Sequence, residues 1–448
     1  MRIMIIGAGE VGYHLSERFS SEGHDVVLIE RNEDKIHKIE KDLDAMIIHG
    51  SGASAKNLEA AGIEKCDLFI AVTDIDEVNV VSCMMAREYG VQRRVARVRN
   101  EEFATTDSPL NQARLGLDLL INPDRVMTDE VVRLTDLSEA FSVIDFASGQ
   151  VELLGYRIGE DNKIIGKKLS AIGKMKGKLG FVIVALARSG KTIIPRGEDV
   201  IKADDRIYVV TNREDIHDVE KLLNLRSHAP KKVFIIGGGR LGLMIAKQLE
   251  SRHIDIRMFE IDESRCKELS EELKKAIVIN SDGLNAQDLV DEGISEADLV
   301  ISVAGNDTTN LLSSLLAKHH GARKCFTRIH RSDFVPLLQK LGIDVALSPR
   351  LLVAREILRF VRRGALLSVA SLLETDSEVL EFEVRQKSRI SNIALKELDF
   401  PPKANIGAVV RNGKSIVPTG ATTLKIGDGV IVFALKDAVK NVEKFFKE

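Results

Sequence analysis

Glycines at Gly7, Gly9 and Gly12 follow the apolar run RIMII, and glycines at Gly237, Gly239 and Gly242 follow KVFII. Both sets have the spacing G-x-G-x-x-G and lead into helical patterns, EVGYHLSERF and RLGLMIAKQL. A loop of this kind can hold phosphate. A helix starting there offers unpaired backbone N–H groups and the positive end of its dipole to an anion. The first glycine permits the tight turn, the second lets the anion approach the backbone, and the third lets helix and sheet pack closely. Glu30 and Glu260 end the next apolar run of each set, near the ~20-residue interval at which an acid reaches ribose hydroxyls. Such an acid disfavours a 2′-phosphate, so NAD(H) or an adenine nucleotide fits better than NADP(H). Arg31, beside Glu30, weakens that exclusion in the first set only.

The two loops differ in charge. Glu10 follows the second glycine of the first set and Arg240 that of the second, so a highly charged nucleotide such as ATP should prefer the second loop. The alternative is that both side chains simply point to solvent. Arg97, Arg99 and Arg328 are expected on the fifth strand of each set, where a buried guanidinium needs an anionic partner. A phosphate and an internal Asp or Glu both satisfy that need. Thr73 and Asp74, and the stretch Ala304 to Asn306, fall where a ligand would cross the edge of the sheet. One copy could equally keep its turn and have lost its ligand.

The elements that position these residues are themselves duplicated. Gly62 matches Gly293, Asp67 matches Asp298, Asn79 matches Asn310 and Arg97 matches Arg328. Apolar strand runs alternate with helical patterns in both copies, which argues for a parallel sheet covered on both faces. Each copy is followed by a strand-rich segment: VIVALARSGKTIIPRG resembles IGAVVRNGKSIVPTG, and both segments close with an amphipathic helix. The fold class is therefore α/β, with two tandem Rossmann-like doubly wound parallel sheets, each followed by a small α+β lobe. The expected boundaries are 1–123, a linker helix over 124–142, 143–226, 231–349, a linker helix over 350–366, and 367–448, with a joint near Asn224 to Lys232.

The helices VNVVSCMMAREYG and TNLLSSLLAKHHG are apolar over more than one face, so each is either deeply buried or part of an oligomer interface. A formal net charge of −3 gives no reason to expect a nucleic-acid partner, and the absence of tryptophan removes base-stacking material. No apolar run approaches the ~18 residues of a membrane span. Cys66, Cys83, Cys266 and Cys325 lack C-x-x-C spacing and read as free, buried thiols of a soluble cytoplasmic protein. No metal site is expected: His319 and His320 are adjacent on a helix and point apart, and His330 stands alone on the fifth strand. No G-x-S-x-G elbow, Walker A loop or H-E-x-x-H pair is present, and the strand-rich lobes lack a general acid or base suited to a nicotinamide. No catalytic constellation is found, and the chain reads as a sensor.

The sequences GAGEVG, AVTDIDEVN and VARVRN, with Glu30 and the doubling of the whole unit, resemble the TrkA family of tandem RCK (KTN) domain proteins. The resemblance implies a peripheral regulatory subunit, on the cytoplasmic face of the membrane, that gates an integral-membrane potassium-translocating subunit (TrkH/TrkG-like). It also implies binding of NAD(H) and ATP or ADP, and assembly as a homo-oligomeric ring, dimer to tetramer. The pocket residues it implies are Gly7, Ala8, Gly9, Glu10, Val11, Gly12, Glu30, Ser51, Thr73, Asp74 and Arg97. In the second copy they are Gly237, Gly238, Gly239, Arg240, Leu241, Gly242, Glu260, Asp282 and Arg328. The second copy departs from the pattern, reading VAGNDTTN without the Thr-Asp pair, and Asp282 stands where the first has Ser51. An NAD-dependent oxidoreductase with a substrate pocket between lobes is the alternative from another class, and a scaffold with degenerate pockets is a third.

Overall fold

A computed structural model describes the chain apart from residues 104–107, 109, 138, 176–178, 226–228, 332–333, 362–365, 372–376, 413 and 447–448. The joint expected near Asn224 to Lys232 and the linker expected over 350–366 thus lie partly outside the described residues. Two compact units result: Met1–Asp129 with Ser348–Phe360, and Glu130–Leu347 with Val361–Glu448.

In the first unit the strands Arg2–Ile6, Asp25–Glu30, Met46–His49, Leu68–Ala71, Arg93–Arg97 and Leu119–Ile121 form one parallel sheet in the order 3-2-1-4-5-6. Ile3, Met4 and Ile5 on the central strand are fully buried, as a parallel sheet covered on both faces requires. The order reverses between the first and fourth strands, and a crevice opens beyond their carboxyl ends. The helix Glu10–Ser21 leaves the first strand and buries Gly12, Leu15, Ser16 and Phe19, a single stripe at helical spacing. The helix Asp76–Glu88 buries Asn79, Val80, Cys83 and Ala86, yet leaves Val81 43% and Met84 37% exposed. Of the two fates the sequence allowed this helix, deep burial does not occur within its unit.

The second unit repeats the parallel sheet over Lys232–Ile236, Asp255–Glu260, Ile277–Asn280, Leu299–Ser302, Cys325–Arg328 and Val345–Leu347, in the same order. It also contains both strand-rich lobes, each a five-stranded antiparallel sheet. These two sheets share one core. Val184, Tyr208 and Val210 pack with Val379, Ala408, Ile431 and Phe433, and the Tyr208 and Phe433 rings lie 6.2 Å apart. Gly407 lets the layers approach, since a Cβ there would stand 2.8 Å from Val210 Cγ2. An ion pair on a buried aspartate recurs in each lobe, Arg188 with Asp205 and Arg411 with Asp428. All four cysteines are free and buried; burial pushes the Cys66 thiol up to about 11 and Cys325 up to about 12, so neither is a thiolate at neutral pH.

The crossover segments do not stay with their own repeats. In the second unit, residues of the first repeat are pinned to the loops around the second parallel sheet: Asp136 pairs with Arg252, Glu139 with Arg323, and Ala140 O accepts from Lys324 Nζ at 2.7 Å. In the first unit, the helix Pro349–Val361 of the second repeat contributes residues up to Phe360.

Lys324 is half-buried as a residue, but its ammonium end is enclosed, and burial pulls it down to about 8 against the attraction of Asp344, Glu139 and Glu220. Between pH 8 and the ~10.4 of an unfolded lysine, the unfolded chain holds the extra proton, so stability rises with pH through that window. Below pH 8 the group is charged in both states and the cost of enclosing it is fully borne. Relative to Lys324→Met, the wild-type chain should therefore gain stability from pH 8 to 10, by at most about 3 kcal/mol. Paired thermal melts would show this; a difference independent of pH contradicts it.

Candidate nucleotide-binding site

Gly7 leaves the first strand at φ 99°, where a side chain would be strained, and a Cβ there would stand 3.0 Å from Thr73 Cγ2. Its N–H donates to Ile29 O at 2.8 Å, which aims the loop toward the second strand. Glu30 waits at that strand's end, buried. Its Oε2 accepts from the Ala8 N–H at 2.6 Å and its Oε1 from the Asn32 N–H at 2.8 Å. Each carboxylate oxygen keeps a lone pair for a ribose hydroxyl. A cavity of about 110 Å³ lies over this loop and is walled by Gly9, Glu30, Lys35, Ser51, Thr73 and Asp74, among others.

Arg97 closes the back of this pocket. Its Nη1 donates to Thr73 O at 3.0 Å and to Asp74 Oδ1 at 2.8 Å, and that hydrogen bond holds the Asp74 carboxyl below its usual range. Asp74 is one of the two kinds of partner the sequence allowed Arg97, an internal aspartate. Asn79, fully buried, clamps the same corner. Its Nδ2 donates to Thr73 O and Arg97 O, while its Oδ1 accepts from the Thr73 N–H and hydroxyl. All four hydrogen-bonding positions of the amide are filled.

The second loop is built the same way. Gly237 has φ 107°, and Glu260 accepts from the Gly238 N–H at 2.7 Å and the Asp262 N–H at 3.0 Å. Arg265 Nε adds a bond to Gly238 O at 3.0 Å. Asn310 repeats the clamp with Ala304 and Arg328. The far wall differs: Arg328 Nη2 meets His330 Nε2 at 2.9 Å, and His330 Nδ1 meets Asp307 Oδ1 at 2.8 Å. Burial works to raise the Asp307 carboxyl, but bonds from His330 and Arg331 outweigh it and hold it low. Among the described residues, no cluster of His, Cys, Asp and Glu suits a metal ion.

Comparison with known proteins gives the same alternation. The TrkA-N domain matches residues 3–123 and 233–349, and the TrkA-C domain matches 153–224 and 379–447. The chain belongs to the TrkA family. Over 456 residues, covering 100% of both chains, it is 35% identical to the Trk system potassium uptake protein TrkA homolog 2 of Methanosarcina mazei. Among solved structures, the GsuK channel bound to NAD is similar with a TM-score of 0.61 and 18% identity, over 99% of this chain and 78% of that one. GsuK bound to ADP is similar with a TM-score of 0.50 and 16% identity, over 80% and 68%. These two likenesses bear on the fold.

In the first TrkA-N domain, Gly7, Gly9, Glu30, Ser51, Thr73 and Asp74 come together around one cavity. Ala8 and Gly12 build the loop behind it, Glu10 and Val11 open the helix, and Arg97 supports the wall from behind. In the second TrkA-N domain, Leu241 is buried beneath the helix start that Arg240 opens, and Asp282 accepts from the Leu284 N–H in the loop after the third strand. Arg99 and His330 are not on the fifth strands, as the sequence suggested. Those strands end at Arg97 and Arg328; Val98 and Ile329 N–H still bond to the sixth strands, and the Asp76 and Asp307 carboxylates take the N–H groups of Arg99 and His330 instead. Sequence reasoning missed Lys35 as a wall residue and Asn79 and Asn310 as clamps. The signal for the clamps was there: an asparagine at the same place in two otherwise apolar helices.

The two inner glycines separate stability from binding. A Cβ on Gly12 would lie 1.8 Å from Gly7 O, whereas one on Gly9 would meet nothing within 4 Å and would project where phosphate approaches. Gly12→Ala should cost about 2 kcal/mol or more of stability. Gly9→Ala should leave the melting temperature unchanged and weaken nucleotide binding at the first loop by roughly 10-fold or more. Melts paired with titrations read both; a Gly9→Ala protein that binds like wild type contradicts the site.

Proposed function

We propose that the chain is a nucleotide-responsive switch on potassium transport, binding NAD(H) or adenine nucleotides in its two TrkA-N domains. Family membership makes it a regulatory subunit of potassium uptake. The observation that carries the ligand reading is the twice-built loop, in which an acid at the end of the second strand holds a backbone N–H of the glycine turn, in the first copy at the edge of a cavity. The acid favours an unmodified ribose, hence NAD(H), ATP or ADP over NADP(H). That solved relatives of this fold carry NAD and ADP supports the reading.

The chain acts by binding and carries no catalytic role. No helix among the described residues is long and apolar enough to cross a membrane, so the pore belongs to a separate integral-membrane potassium-translocating subunit, of the TrkH/TrkG kind. The switch docks on that subunit from the cytoplasmic side. Exposed Val81 and Met84 in the first TrkA-N domain, and Leu312 in the second, supply contact surface for a homo-oligomeric ring. A ligand that binds one arrangement of the crossover helices more tightly than another shifts the population toward it, by no more than its differential affinity.

Calorimetric titration of the full chain with NAD, NADH, ADP and ATP tests this. Two sites per chain are expected, with Glu30→Ala and Glu260→Ala each weakening one of them by roughly 10-fold or more. Affinities untouched by both substitutions, or NADH consumed in the presence of carbonyl compounds, would contradict the reading.

A further inference from the structure

The first glycine loop carries a charge that a phosphate chain would meet with repulsion. Glu10 directly follows Gly9, which lines the cavity, and it opens the helix Glu10–Ser21. Its carboxylate therefore adds negative charge beside the loop, one residue from the cavity wall. Glu10 has company there. Arg350 Nη1 lies 3.9 Å from Glu10 Oε2, within the first unit. Arg350 belongs to the second repeat, as the second residue of the helix Pro349–Val361. Its field extends to the next turn of the helix Glu10–Ser21: burial, Glu17 and Asp42 raise the Tyr13 phenol, and Arg350 pulls it back.

The sequence repeats this arrangement with its signs inverted. Where the first repeat has Glu10, the second has Arg240, and where the second has Arg350 after its proline, the first has Asp124. The second loop thus carries a cation in its own sequence, whereas the first is supplied with one by the crossover helix of the other repeat.

We infer that Arg350 is a specificity residue of the first site, directed at the terminal phosphates of nucleoside di- and triphosphates. The inference rests on the nucleotide reading of that cavity. A guanidinium presents a planar fork of donors that matches phosphate oxygens, and a phosphate carries more charge than a carboxylate. The Glu10 side chain is 49% exposed and the contact is long, so turning Glu10 into water gives up little. Glu10 can turn into water while Arg350 takes the phosphate. It follows that a ligand's phosphate count in the first site is read by a helix of the second repeat, which gives ATP and NAD different effects on the same helix.

The test uses the full chain carrying Gly239→Ala, so that the first loop dominates, titrated with adenosine, AMP, ADP and ATP. Arg350→Ala should weaken ADP and ATP by roughly 10-fold or more and leave adenosine and AMP within about twofold. Arg350→Lys should retain part of the affinity, and Glu10→Gln should strengthen ATP relative to AMP. Equal losses for all four ligands, or none for ATP, would overturn the inference. If Arg350→Ala does not fold, Glu10→Gln decides alone: no gain for ATP over AMP overturns it. Failure of the nucleotide reading looks different, since the unsubstituted first loop would then bind none of the four. Binding that Gly9→Ala abolishes but Arg350→Ala leaves unchanged would keep the pocket and remove only Arg350.

Discussion

A carboxylate tying two stretches of backbone together fixes each glycine loop: Glu30 between Ala8 and Asn32, Glu260 between Gly238 and Asp262. A carboxylate turned in at the end of a parallel strand needs hydrogen-bond donors to replace the water it gives up. The loop N–H groups supply them, and in return the loop takes the one curvature that points the following helix at the crevice. The positive φ of Gly7, the contact of Gly12 with Gly7 O and the seating of Thr73 against the loop all follow from that curvature. The asparagine clamp does for the opposite lip what the glutamate does for this one, by joining the ends of the fourth and fifth strands.

On this shared frame the two repeats have diverged where a ligand would be told apart. The first lip carries Thr73, Asp74 and Arg97; the second carries Ala304 and the chain Asp307–His330–Arg328. The crossover segments complicate the symmetry further, because residues of each fall in a compact unit with the parallel sheet of the other repeat. Such an exchange suits a protein whose output is a shape.

Much of this was legible in the sequence because the decisive contacts are local or repeat at fixed spacing. The strand–turn–helix with its glycines and acid could be read from a stretch of chain, and the duplication confirmed the register. The acid was legible as a residue but only half legible as a role: its spacing suggested ribose, while its grip on the Ala8 N–H depends on how two strand ends lie side by side. The common core of the two antiparallel lobes was hidden. Nothing in the patterns around Tyr208, Gly407 and Phe433 says that two half-buried sheets will cover each other instead of covering themselves with helices. Arg350 was out of reach for the same reason, since its meeting with Glu10 joins the two ends of the duplication and leaves no periodic trace.

The central claim is that nucleotide at the glycine loops is felt by the crossover helices. Hydrogen exchange on the full chain, with and without ATP and then NADH, tests it most directly. The account predicts slowed exchange at residues 7–12 together with a changed rate across 349–361 that differs between the two ligands. Protection confined to the loop, with 349–361 indifferent to either nucleotide, would contradict it.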